Sequence, residues 1–455
     1  MFDDLTGAAM MVAAALVVAA PAAAQSPQTP QDPPAADRTP EAFAIHAQST
    51  AIVQGLPAFR ARYTGQNSLY PNGLARQSTS ITGFFSVRLP WEGGELHVNP
   101  EFFQGFGIGN TLGIAGFVNG DAQKAGSNAG VFYLARGYIR QTFALGADRE
   151  WQEGAANQLA GFIPTQRVTI SVGRFAGVDF FQTSAYAGDS RRQFMNWSIW
   201  GPTSSDLAAN IRGYVEGAVV EVTPFAGTTF RYGALLMPTQ PNGSNLALKL
   251  NNISHVFEIA HQHNWFGRPG AIKPYFFYTN GTMGRFNQAL SLAATGLDPD
   301  DAIATTRRFG NVKWGFGLLV DQELTDHIGV FARMGWNDGK TESYAFTQVD
   351  RAFAAGISVK GDLWRMPGHT FGLAVVQNNL SGAHSRFLAA GGTGIILGDG
   401  ALNYGSERII ETYYDLPVYK DNVFLAANYQ FISNPGYNRD RGPAHVFGMR
   451  LHARY

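Results

Sequence analysis

The chain has 455 residues, 34 basic and 34 acidic side chains, no formal net charge and no cysteine, which excludes disulfides, thiolate metal sites and cysteine nucleophiles together. A neutral chain lacks the electrostatic footprint of a nucleic-acid partner, and none is expected. Only 15 % of residues are charged against 13 % aromatic ones; past residue 24 no apolar run nears the about 18 residues a membrane-crossing helix needs, so a spanning form must be a β-barrel.

Residues 1–24 read as a signal peptide, with an apolar stretch from Ala8 to Ala20 and a small-residue site at Ala22–Ala24. Cleavage is expected after Ala24. Asp3 and Asp4 stand where a basic segment is usual. Residues 25–42 are polar and Pro-rich, the composition of an extended linker with no core of its own. Residues 43–455 form the remaining domain.

From residue 43 onward the dominant pattern has a period of two. In Ile328–Trp336 one face carries Ile328, Val330, Ala332, Met334 and Trp336, and the other Gly329, Phe331, Arg333 and Gly335. The final segment sets Phe447, Met449 and Leu451 against Gly448, Arg450 and His452. Strands with one apolar and one polar face produce this alternation. The spacing predicts strands at 43–54, 77–89, 95–107, 131–145, 167–178, 212–223, 228–239 and 254–266. It predicts further strands at 271–283, 308–323, 326–338, 344–361, 369–381, 407–418, 421–434 and 444–455.

These segments run to about 10–14 residues, whereas ordinary strands have about 5–6 and lipid-spanning ones at least 9–11. The fold class that follows is all-β: an antiparallel transmembrane barrel of about sixteen strands, with eighteen as the other even count. Connections alternate short and long, as periplasmic turns and extracellular loops do. One connection breaks the rule, because 146–166 is long yet falls on the periplasmic side. Tyr455 ends the last strand on an aromatic, as outer-membrane chains do.

Sending the apolar face to lipid turns Arg88, His97, Asn99, Glu101, Arg136, Tyr138, Arg140, Lys313, Asp321, Arg333, Arg450 and His452 toward the lumen. The long connection after the fifth strand is dense in chemistry. Between Asp179 and Gly201 it mixes Phe180, Phe181, Tyr186, Phe194, Trp197 and Trp200 with Asp189, Arg191, Arg192 and Asn196. Flat aromatic faces cover the C–H face of a sugar ring, while amide, carboxylate and guanidinium groups hydrogen-bond its hydroxyls. Folded inward, this loop would narrow the channel; folded outward, it would pack its rings on the rim. The substrate-binding candidates are Glu101, Arg136, Arg140, Asp179, Asp189, Arg191, Arg192, Asn196, Trp197 and Trp200. His261 and His263 share a strand face without a third ligand nearby, so no metal is expected. No nucleophile elbow, metalloprotease motif or phosphate-binding loop occurs, and no enzyme is expected.

The stretch GRFAGVDFFQTSAYAGDSRRQFMNWSIW resembles the signature run of carbohydrate-selective porins of the OprB-like family. The resemblance rests on Gly173, Arg174, Phe175, Asp179–Phe181, Tyr186, Arg191 or Arg192, Gln193, Phe194, Asn196 and Trp197. RGY at Arg212–Tyr214, FGRPG at Phe266–Gly270 and the upstream NGDAQKAG run are similar to the family too. Gln182 departs from it, standing where members often carry Asp or Asn. The resemblance implies an outer-membrane barrel of sixteen or eighteen strands that passes mono- or oligosaccharides down their gradient. It implies no cofactor and no energy coupling, and the short span before the first strand leaves no place for a large plug. Carbohydrate solutes and outer-membrane lipid are the implied partners; monomer and homo-oligomer both stay open. A nonspecific diffusion porin is the alternative reading.

Overall fold

All sixteen alternating segments pair into one closed antiparallel barrel in the computed structural model, which describes residues 38–122, 126–248, 252–345 and 347–455. The expected signal peptide and most of the linker lie outside the described residues. The wall begins with β1 (Phe43–Leu56), β2 (Leu74–Arg88), β3 (Gly94–Gly105) and β4 (Ser127–Ala144). A small separate hairpin follows, β5 (Arg149–Gln152) and β6 (Gly161–Pro164). The wall resumes with β7 (Arg167–Phe175), β8 (Val215–Phe225), β9 (Thr228–Leu236), β10 (Ile253–Trp265), β11 (Arg268–Met283) and β12 (Arg308–Thr325). It ends with β13 (Ile328–Asn337), β14 (Arg351–Lys360), β15 (Thr370–Asn379), β16 (Glu407–Tyr419), β17 (Val423–Ser433) and β18 (Ala444–Arg454).

Each wall strand pairs with its neighbour in chain order, β4 pairs directly with β7, and β1 closes on β18 in the register Gln48↔Arg454 to Gly55↔Phe447. The start of β1 and the end of β18 therefore meet at one mouth, the periplasmic end in barrels of this class. The β10–β11 turn there needs two left-handed residues, and Phe266 (φ 55°) and Gly267 (φ 74°) supply them.

Burial fixes which side faces what. Phe257, Phe276, Phe316, Phe353, Val375, Phe447 and Met449 are exposed on the outside, while Glu258, Lys313, Asp321, Arg333, Glu411, Arg450 and His452 are buried within. A soluble sandwich would show the reverse, because exposed Phe and Met in water forfeit about 1.5–3 kcal/mol each. In hydrocarbon the exposure costs nothing, and the closed ladder leaves no unpaired edge. No described helix is long and apolar enough to cross a membrane.

The barrel is not an empty tube. Leu69, Ile108, Ile114, Phe194 and Ile199 come from loops and pack on Leu56, Phe331, Tyr413 and Ile432 of the wall. Three short helices in the outer loops, Phe286–Ala293, Pro299–Thr305 and Gly382–Ala389, pack together above one side. Ser381 and Asp298 cap two of them by accepting from the His384 and Asp300 amides. At the other end the long periplasmic connection is the β5–β6 hairpin, whose tip turns into the mouth. Asn157 there exchanges amide hydrogen bonds with Asn99 of β3 (2.8 and 3.0 Å), and Arg140 donates to the Asn157 carbonyl (3.0 Å).

Candidate solute passage

The connection from β7 to β8, residues 176–214, runs through the lumen rather than over the rim. Its first turn is set by Asp179, whose carboxylate accepts from the Ala176 amide (2.9 Å) and from Arg136 on β4 in a two-pronged pair (2.7 and 2.6 Å). Glu258 of β10 then accepts from the Gln182 amide (2.7 Å), and Asp321 of β12 from Ser184 Oγ (2.7 Å) and the Ala185 amide (2.9 Å). Across the barrel Arg192 pairs with Asp415 of β16 (2.8 Å), and Arg450 of β18 donates to the Ser190 and Gln193 carbonyls (2.8 and 2.9 Å). Glu411 of β16 accepts from the Met195 and Asn196 amides (2.6 and 2.9 Å). Farther on, Asp206 accepts from the Tyr344 and Ala345 amides (2.6 and 2.8 Å) and from Lys313 of β12 (3.2 Å).

A second loop, between β3 and β4, is drawn in by the same device. Glu407 of β16 accepts from the Ala115, Gly116 and Gly436 amides at 2.8–3.0 Å. The two loops meet face to face: Phe117 stacks on Trp197 (5.6 Å between centroids, 5° between planes), and the Gly120 amide donates to the Met195 carbonyl (2.7 Å). The inward charges of the wall thus serve as ligands for loop backbone. Each buried carboxylate is met by N–H donors, which is what makes its burial tolerable.

The loops leave a cavity of about 1170 Å³, counting its open mouth, against β3, β4 and the approach to β8. Its lining is charged and aromatic. Glu101 accepts from Thr82 Oγ1 (2.7 Å), from Tyr214 Oη (2.8 Å) and from Tyr133, and lies 3.5 Å from Arg191. Asp121 accepts from Arg191 Nε (2.7 Å) and Ser80 Oγ (2.8 Å). Burial pushes the Asp121 carboxyl above its ordinary range although Arg191 opposes it. Burial also works against the Arg191 charge, but Asp121 and Glu101 outweigh it and hold the guanidinium in its charged form. Tyr214 lies under two cations, Arg136 (5.5 Å) and Arg174 (5.8 Å), while Arg174 pairs with Glu216 and Arg212 covers Tyr133 (4.7 Å).

The family model described as carbohydrate-selective porin, OprB family, matches residues 88–455. The chain belongs to the OprB family of carbohydrate-selective porins. Among solved structures it is similar to Pseudomonas putida OprB at high pH, with 16% identity, a TM-score of 0.69, and coverage of 91% of this chain and 94% of that one. It is similar in fold to the outer-membrane channel DcaP of Acinetobacter baumannii, with 12% identity, a TM-score of 0.53, and coverage of 91% and 97%. No curated protein sequence matches it. As an OprB-family porin the chain is an outer-membrane channel of a Gram-negative bacterium.

Seven of the ten residues singled out from sequence meet at the cavity: Glu101, Arg136, Asp179, Asp189, Arg191, Trp197 and Trp200. The other three lie elsewhere. Arg192 is turned to Asp415 and covers the Phe424 ring (3.2 Å). Asn196 is fully buried; it caps the turn Trp197–Trp200 and donates to the Gly116 carbonyl (2.7 Å). Arg140 sits toward the periplasmic mouth beside Glu95 (3.5 Å). His261 and His263 point outward near that mouth, His263 stacked on Trp265 (3.7 Å), and the described residues include no group of three His, Asp or Glu placed to hold a metal.

Sequence reasoning missed Asp121, Tyr133, Arg174, Arg212, Tyr214 and Glu216 as site residues. The β3–β4 register shifts between Asn99↔Arg136 and Pro100↔Leu134, which inserts Ala135 as an extra residue. Beyond this bulge the inward parity of β4 changes from even to odd, so Tyr133 joins Arg136 on the lumen side. A marker for the second loop was present: from Phe106 to Ala122 it holds a single charge, Asp121, in a Gly-rich apolar run. A water-exposed loop has no need of such a composition.

Gly120 provides a structural test of this docking. A Cβ there would lie 2.0 Å from Trp200 Nε1 and 2.9 Å from the Met195 carbonyl. Gly120→Val is expected to displace the Trp200 ring or part the two loops, changing single-channel conductance by at least twofold while the folded barrel persists on unheated gels. Unchanged conductance would show that the loops do not meet at Gly120.

Proposed function

We propose that the cavity bounded by Glu101, Asp121, Arg136, Asp179, Arg191, Arg212, Tyr214 and Trp200 is the constriction at which sugars are selected. Passage is passive, with weak binding on the way. The observation that carries this reading is the interleaving of opposite charges at the constriction. Guanidiniums of Arg136, Arg191 and Arg212 stand among the carboxylates of Glu101, Asp121, Asp179 and Asp189 in the lining, with the Arg174–Glu216 pair beside it, four against five. In such a ring the charges largely cancel, with one carboxylate in excess, so it selects only weakly between cations and anions. It offers fixed donors and acceptors at close range, and a hydroxyl both donates and accepts. Trp200, half-buried at the edge of the same space, supplies an apolar face for the C–H side of a pyranose.

The experiment is single-channel recording in planar bilayers with glucose and a linear oligosaccharide added to one side. Concentration-dependent block is expected, at millimolar levels that match passive uptake. Trp200→Ala should weaken the block about fivefold, the equivalent of about 1 kcal/mol for one ring contact. No block by any sugar, with amino acids and salts passing equally well, would make the channel a general diffusion porin.

A further inference from the structure

We infer that the outer face of β14–β16, at its extracellular rim, binds the phosphorylated headgroup of the outer-leaflet glycolipid. Below the rim this face carries Phe353, Val375 and Ile410, all exposed. Two residues farther out along their strands stand Arg351 and Arg408, both exposed. The ladder registers are Trp336↔Arg351, Arg351↔Asn379, Gln377↔Arg408 and Arg408↔Ser433. Cross-strand partners share a face, so all six side chains lie on the lipid side, at the outer edge of the apolar band.

The two arginines are two strands and two residues apart, a backbone separation of about 12 Å from ordinary strand spacings. Their side chains can close on one headgroup that carries more than one phosphate. Arginine suits this task, since its planar fork meets phosphate oxygens in pairs. Neither makes an ion pair among the described residues, whereas the lumen arginines Arg136, Arg174, Arg191 and Arg231 each face a carboxylate. A cation at the edge of hydrocarbon without a counter-charge of its own is matched to an anion the surroundings supply. In the outer leaflet of this membrane that anion is the glycolipid phosphate, and Gln377, Asn379 and Ser433 add neutral hydrogen-bonding groups beside it.

The test uses the whole mature protein, stripped of lipid in detergent with EDTA and then offered bis-phosphorylated lipid A. Native mass spectrometry reads how much stays bound, with fully dephosphorylated lipid A as the comparison. Wild-type protein should retain the phosphorylated form at least tenfold better than the dephosphorylated one. Arg351→Gln with Arg408→Gln should remove that preference, and Arg351→Lys with Arg408→Lys should keep part of it. Sugar block should be unchanged in both double variants, since neither residue lines the cavity. Equal retention of the two lipids by wild type, or an undiminished preference in the glutamine variant, would overturn the assignment. So would a stable oligomer, free of lipid, that buries this face against a second copy.

Discussion

Replacing Glu411 with alanine is expected to raise single-channel conductance several-fold and to weaken sugar block at least tenfold, while the barrel itself stays folded. Glu411 is fully buried inside the wall and accepts from the amides of Met195 (2.6 Å) and Asn196 (2.9 Å) and from Asn428 Nδ2 (2.6 Å). Hydrogen bonds to a charged group contribute about 1.5–3 kcal/mol each, and a buried donor left without an acceptor costs more than the bond was worth. Two of the three donors are loop backbone, immediately before the turn that carries Trp197 and Trp200. Their release acts on the constriction directly. The wall keeps its ladder on both sides of β16, so unheated protein should still migrate as a compact barrel. The other tethers of the loop, at Asp321, Glu258 and Asp206, remain, which is why widening rather than complete opening is expected. Conductance and sugar block identical to wild type would mean that the loop holds its path without Glu411. The same logic applies to Glu407, four residues away on the same face of β16, where the loop released is the one between β3 and β4.

The contrast between wall and loops explains what could be read in the sequence. Strands were legible because lipid outside and water inside impose alternation on every segment, and the boundaries follow closely: 95–107 against Gly94–Gly105, 421–434 against Val423–Ser433. The clearest misfit is 344–361, where the strand begins only at Arg351. Tyr344, Thr347, Gln348 and Val349 look like strand residues because they are β-branched, aromatic or buried, but both parities are buried against the inward loop rather than one in lipid. At the site, the aromatic and arginine-rich loop announced itself by composition. Its course did not, since that depends on which distant carboxylates meet its amides, and Asp321, Asp415 and Glu411 lie far from it along the chain. The functions of Arg192 and Asn196 as tethers, rather than cavity lining, follow from the same partners. The bulge at Ala135 hid Tyr133 for a different reason, because one extra residue reverses parity without leaving a mark in the hydropathy pattern.

Arg136 and Asp179 separate the charge of the constriction from its shape. Arg136→Gln is expected to shift the channel toward cation selectivity and to weaken sugar block at least tenfold. The bidentate pair holds the root of the loop and stands in the cavity wall, so its loss leaves Asp179 and Glu101 with less counter-charge in the same space. Arg136→Lys should restore most of the ionic balance but little of the block, because an ammonium cannot make the two parallel bonds that orient Asp179. Adding Asp179→Asn to Arg136→Gln returns the net local charge to its wild-type value without returning the geometry. In that double variant reversal potentials measured in a salt gradient should come back close to wild type, while glucose block should stay weak. Should block recover together with ion selectivity, the constriction would be acting through its net field alone, and the placement of individual donors and acceptors would not govern which solutes it favours.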